Sequence, residues 1–118
     1  MTAALTILGI DPGSQVTGFG VIRARGSALV YVASGCIRTG GGEMAARLQV
    51  IFESAARLVT EYQPDEISIE RVFMHRNADS ALKLGQARAA ALCGTFTRAA
   101  PVHEYAAREV KQAVTGSG

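Results

Sequence analysis

Charge of either sign is nearly balanced: 12 Lys and Arg stand against 10 Asp and Glu, a formal net charge of +2 over 118 residues. So small an excess does not by itself call for a polyanionic partner. Cysteine is scarce, and Cys36 and Cys93 stand far apart, with no C-x-x-C pair and no histidine at ligand spacing. That argues against a zinc site and fits reduced thiols in a cytoplasmic protein. No basic segment leads into a long apolar stretch at the N-terminus, and no apolar run approaches the length of a membrane span. Secretion and membrane insertion are therefore not expected. Low-complexity tracts, repeats and a second domain boundary are also missing, which leaves one domain over residues 1–118, able to bury about two thirds of its unfolded surface.

What is present is concentrated in residues 5–21, LTILGIDPGSQVTGFGV. The apolar run 5–10 suits a strand buried on both faces, stopped at Asp11-Pro12-Gly13-Ser14 by a turn. Residues 16–22 are strand-like again, so the two pair as a hairpin. A carboxylate at the tip of an apolar strand is either a turn-former or the anchor of a site. Alternation puts Gly9 and Asp11 on one face, and Gly18 and Gly20 leave room beside them for a ligand or another backbone.

Residues 29–37 (LVYVASGCI) read as a third strand of an antiparallel meander, broken by Gly40, Gly41 and Gly42. From 43 to 63 the period turns helical, with Met44, Leu48, Ile51, Ala55, Leu58 and Tyr62 forming the stripe that lies on a sheet, and the helix stops before Pro64. Residues 66–70 (EISIE) form a short fourth strand. A helical crossover lays it parallel to an earlier strand, and beside the first strand it brings Asp11 and Glu70 to neighbouring C-terminal ends, where open α/β sheets bind ligands. Two adjacent carboxylates repel unless a cation neutralises them, and a divalent metal is the simplest cation. The alternative is that Glu70 pairs with Arg71 or Arg76 at the surface.

Charge is unevenly placed: residues 1–70 hold five Lys/Arg against seven Asp/Glu, and residues 71–118 hold seven against three. This is either a phosphate-contacting face or a solvated basic one. Residues 71–77 (RVFMHRN) mix apolar with basic side chains, as loops that wedge against bases while holding phosphates do, although Phe73 could equally tuck into the core. His75 is either a phosphate contact or an idle surface residue. Asn77, Asp79 and Ser80 open a second long helix whose apolar positions are Ala78, Leu82, Gly85, Ala89, Leu92 and Phe96, with Lys83 and Arg88 on its polar side. Gly85 and the alanines around it allow close approach of another helix, within the domain or from a partner subunit. Residues 101–105 (PVHEY) are a fifth strand, and residues 106–114 a short helix carrying Arg108 and Lys111.

The stretches ILGIDPGSQVTGFGVI, SGCIRT, IERVFMHRNADSALKLGQARAAAL and EYAAREVKQAVTG resemble the RuvC-type Holliday-junction resolvases almost from end to end. The resemblance implies an α/β, ribonuclease-H-like fold with a five-stranded mixed sheet ordered 3-2-1-4-5. It implies a bacterial, homodimeric, magnesium-dependent endonuclease (Mn2+ being a plausible substitute) that nicks four-way DNA junctions symmetrically during recombination and repair, working with a branch-migration motor. Two ions per complete site are expected. Asp11 and Glu70 match the first two acidic metal ligands, Phe73 the aromatic near the junction centre, and Lys111 a basic residue beside the scissile phosphate. The DNA-facing set expected from the resemblance and from charge is Phe73, Met74, His75, Arg76, Asn77, Lys83, Arg108 and Lys111. The helix from Ala78 onward matches the dimer segment.

The family completes its metal site with two further acids, or an equivalent pair, on a final helix beyond the stretch matching Gly118. Glu104 and Glu109 are the only later candidates, and neither matches a family ligand. The expectation is a C-terminally truncated chain, inactive as it stands. Two other functions remain open: a junction-binding protein without catalysis, and a nucleotide-binding half-domain of the actin and sugar-kinase type, which also begins with a strand, an Asp and a Gly-rich hairpin.

Overall fold

A computed structural model describes residues 4–71 and 77–105. The first two strands, β1 (Leu5–Asp11) and β2 (Val16–Arg25), form the expected hairpin, and β3 (Ala28–Arg38) continues the meander. Helix α1 (Met44–Tyr62) crosses back to β4 (Glu66–Glu70), and α2 (Ala78–Gly94) with a short 3-10 turn (Thr95–Thr97) leads to β5 (Val102–Tyr105). All five strands lie in one mixed sheet in the order β3-β2-β1-β4-β5, the ribonuclease-H-like arrangement that the resemblance implies. β1 runs antiparallel to β2 and parallel to β4, and β4 runs parallel to β5.

The hairpin turn is built on glycine and a buried hydroxyl. A Cβ on Gly13 would fall 2.1 Å from the Val16 carbonyl oxygen, so no other residue fits there without moving the backbone. The Thr17 hydroxyl donates to the Gly13 carbonyl at 2.9 Å and accepts the Gly13 N–H at 3.2 Å, closing the turn from inside.

Among the described residues, the helices cover one face of the sheet. Leu8 and Ile10 of β1, Val21 of β2 and Ile67 and Ile69 of β4 join Ile51, Leu58 and Val59 of α1 and Ala87 and Ala91 of α2 in one buried cluster. Each large side chain moved out of water there contributes about 1.5–3 kcal/mol, which is what holds the two helices on the sheet. The α1 stripe agrees with its sequence period through Ile51, Ala55 and Leu58, with Ser54 and Val59 buried beside them. Gln63 ends the helix in the left-handed conformation (φ 45°), its N–H bonding the Val59 carbonyl at 2.9 Å. Asp65 then fixes where β4 starts: its N–H donates to the Thr6 carbonyl at 2.7 Å, and its carboxylate accepts the Thr6 N–H at 2.8 Å.

The second helix departs from its expected stripe. Leu82 is 69% exposed and Phe96 62%, while Ala87, Ala91 and Gly94 form the buried side. The reason is the distance between the helices. A Cβ on Gly94 would sit 2.5 Å from the Phe52 carbonyl oxygen and 2.8 Å from the Ala55 Cβ, so α2 approaches α1 where only a small residue fits. Gly85, the glycine expected at a close contact, has open space around it. Among the described residues no helix is long and apolar enough to cross a membrane.

Candidate metal centre at the strand ends

The parallel register of β1 and β4 pairs Ile7 with Glu66 and proceeds to Ile10 with Ile69. The next residues in step are Asp11 and Glu70, the last of their strands. Since Ile10 and Ile69 belong to the buried cluster, alternation turns Asp11 and Glu70 to the opposite face. Adjacent strands lie about 5 Å apart, so the two carboxylate-bearing residues stand side by side on that face. Asp11 is exposed and Glu70 half-buried, which leaves both within reach of a solvated ligand.

The surface around them is low. Asp11 pairs with Gly18 across the hairpin, and Gly9 pairs with Gly20. A Cβ on Gly18 would meet the Asp11 Cβ at 3.8 Å, so glycine there leaves the flank of Asp11 uncovered. On the other side the rows continue through β5, with His103 beside Ser68 and Tyr105 beside Glu70. His103 Nε2 lies 3.0 Å from Glu66 Oε1, and its ring centre 6.2 Å from that of Tyr105. Period-2 alternation in PVHEY is the sequence signal that puts His103 and Tyr105 on this face.

The turn that follows Asp11 is held from outside by two residues that local patterns do not point to. The Ser14 carbonyl accepts from Arg47 Nε at 3.2 Å, from Arg47 Nη2 at 2.9 Å and from the Thr39 hydroxyl at 3.1 Å. Thr39 N–H adds a bond to the Gln15 carbonyl at 3.0 Å.

The other candidate residues separate into distinct places. Glu104 pairs in register with Ile69, so it lies on the helix-covered side, bound to Arg88 and away from the Asp11 face. Arg88 is thus not a free polar-face residue; its side chain is only 21% exposed. Asn77 caps α2, its Oδ1 accepting from the N–H of Asp79 at 2.9 Å and of Ser80 at 3.3 Å. Lys83 makes an exposed i,i+4 pair with Asp79 at 3.0 Å. Phe73, Met74, His75, Arg76, Arg108, Glu109 and Lys111, with the short helix expected over 106–114, lie outside the described residues.

Two neighbouring carboxylates are hard oxygen donors of the kind that Mg2+ and Mn2+ take, and they fit part of such a coordination shell. Among the described residues no group of three or more His, Cys, Asp or Glu is assembled to hold a metal, so the pair is a partial donor set.

A family model described as "Crossover junction endodeoxyribonuclease RuvC" matches residues 7–118. A curated protein of that description from Marinobacter nauticus is 60% identical over 112 residues, which are 95% of this chain and 64% of that protein. One from Vibrio atlanticus is 57% identical over 112 residues, 95% of this chain and 65% of that protein. The chain therefore spans just under two thirds of the length of these relatives. Among solved structures, Thermus thermophilus RuvC in complex with a Holliday junction substrate superposes with a TM-score of 0.82 at 28% identity, covering 97% of this chain and 70% of that one. A yeast mitochondrial Holliday junction resolvase (TM-score 0.64, 11% identity, 86% of this chain and 53% of that one) shares the fold. So does the Aquifex aeolicus PPX-GPPA enzyme (0.52, 10% identity, 91% and 38%).

Proposed function

Because the chain belongs to the crossover junction endodeoxyribonuclease RuvC family, we propose that the intact protein resolves four-way DNA junctions by paired, metal-dependent nicks in recombination and repair. The observation that carries this reading is the register that brings Asp11 and Glu70 together at the ends of β1 and β4. The relative from T. thermophilus, solved with a Holliday junction substrate, supports the choice of DNA.

Asp11 and Glu70 would hold Mg2+, or Mn2+ in its place, through their carboxylate oxygens, as part of a site for two ions. When bound, such ions would polarise the phosphodiester and lower the pKa of a water, so that more hydroxide is available at neutral pH. The residues of the chain do the rest. The locked 13–17 turn keeps Asp11 in place, and Gly18 leaves its flank open to the DNA backbone. Lys111 neutralises charge growing on the phosphate. Phe73, with Met74, His75, Arg76 and Asn77, acts on weakly paired bases at the junction centre, and Lys83 and Arg108 hold phosphates. The exposed side of α2 around Leu82, Gly85 and Ala89 is the surface for a second copy, whose site cuts the opposite strand. A branch-migration motor is the further partner.

Asp11→Asn in the intact protein tests the assignment. Nicking of a synthetic four-way junction is expected to fall by at least about a hundredfold, the scale on which loss of one preorganised electrostatic contact acts, while junction binding in Ca2+ persists. Near-normal nicking would refute it. A second reading is junction binding without cleavage by residues 1–118 alone. Binding without product in Mg2+ would support it for that segment.

A further inference from the structure

Arg88 leaves the helix-covered side of α2 and reaches the C-terminal edge of the sheet. Its Nη2 donates to Glu104 Oε2 in a charge-assisted bond, and its Nε–H donates to the main-chain carbonyl of Glu70 at 3.4 Å, the long end of the hydrogen-bonding range. Glu104 stands opposite Ile69, and Tyr105 opposite Glu70. One guanidinium therefore spans the last two strands at the point where Glu70 emerges. The Arg71 N–H closes the same edge with a 2.8 Å bond to the Tyr105 carbonyl.

The last peptide of β4 is the unit between Glu70 and Arg71, and it is held at both polar atoms: its N–H by the Tyr105 carbonyl and its C=O by Arg88. Held there and by the ladder before it, the Glu70 Cα is fixed from both sides, and the direction of its Cβ with it. We propose that Arg88, backed by Glu104, is a positioning residue for the metal site: together with the Tyr105 carbonyl it fixes the final peptide of β4, so that the Glu70 carboxylate leaves the sheet beside Asp11. This rests on the reading of Asp11 and Glu70 as metal ligands. It also gives Glu104 a role on the face away from the metal, holding the guanidinium in place. The planar fork of arginine serves both acceptors at once, and the single ammonium of lysine does not.

The test uses the intact protein with Arg88→Met, Arg88→Lys, Glu104→Gln and Asp11→Asn. Nicking of a synthetic junction is followed as Mg2+ is titrated, with thermal melting and junction binding in Ca2+ measured alongside. Arg88→Met is expected to lose about 10- to 100-fold in apparent Mg2+ affinity or in rate, the range found when a partner behind a metal ligand is removed. Arg88→Lys recovers part of the loss, and Glu104→Gln loses less than Arg88→Met, while all three still bind the junction. If Arg88→Met only lowers the melting temperature, and the folded protein keeps the wild-type Mg2+ curve and rate, the positioning role is overturned. Asp11→Asn separates the two readings. An inactive Asp11→Asn beside a wild-type Arg88→Met sinks the positioning role alone, whereas an active Asp11→Asn sinks the metal pair and the positioning role with it.

Discussion

The two faces of the central strands β1 and β4 differ by one residue of phase and by everything that phase carries. On one face Leu8, Ile10, Ile67 and Ile69 are packed under two helices. On the other, Gly9, Asp11, Ser68 and Glu70 form a low, polar surface next to the glycines of β2. The contrast teaches that the core and the proposed metal ligands occupy alternate residues of the same seven- and five-residue strands. The helix side fixes the register, and the register delivers the carboxylates.

That division can be broken or sharpened by substitution in the intact protein. Ile69→Ala removes a fully buried side chain from the helix side and is expected to cost about 2–5 kcal/mol in urea-induced unfolding, a large share of a typical domain's stability. Gly94→Ala and Gly18→Ala compare a glycine wedged between helices with one on the open face. The first forces atoms against the α1 backbone and costs about 1–3 kcal/mol, whereas the second meets only ordinary contact with Asp11 and changes the same unfolding curve by less than about 1 kcal/mol. If the two glycines prove equal, the faces are not the separate compartments described. Asn77→Ala removes the α2 cap and is expected to cost about 1 kcal/mol, read as a small loss in urea midpoint with an unchanged slope.

How much of this was legible depended on whether the signal was local. The β1 and β4 ends were readable because period-2 alternation and a helical crossover are short-range patterns with strong contrast between Ile and Asp or Glu. The α1 stripe was readable for the same reason. The α2 stripe was not, because ADSALKLGQARAAALCG is rich in small residues all round and two stripes compete. A step pattern drawn through Leu82 and Phe96 follows the larger side chains, but the contact with α1 selects the smaller ones at Ala87, Ala91 and Gly94. The Arg47 and Thr39 clamp on Ser14 and the Arg88 fork on β4 and β5 were illegible for a different reason. They join groups far apart in sequence through side chains whose targets are main-chain oxygens or a lone carboxylate, and no periodicity announces such bonds.

The same contrast of reach decides what each candidate acid can do. Glu104 is a candidate in the sequence because it lies within the fifth strand, yet its phase sends it to the helix side and into the grip of Arg88. Asp11 and Glu70 share the other phase.

Mn2+ binding to the intact protein, measured by isothermal titration with wild type, Asp11→Asn, Glu70→Gln and the double variant, tests the shared site most directly. Each single variant should weaken binding by at least about tenfold, and the double variant should lose less than the sum of the two, as residues holding one ion do. Wild-type Mn2+ affinity in both single variants would contradict the account.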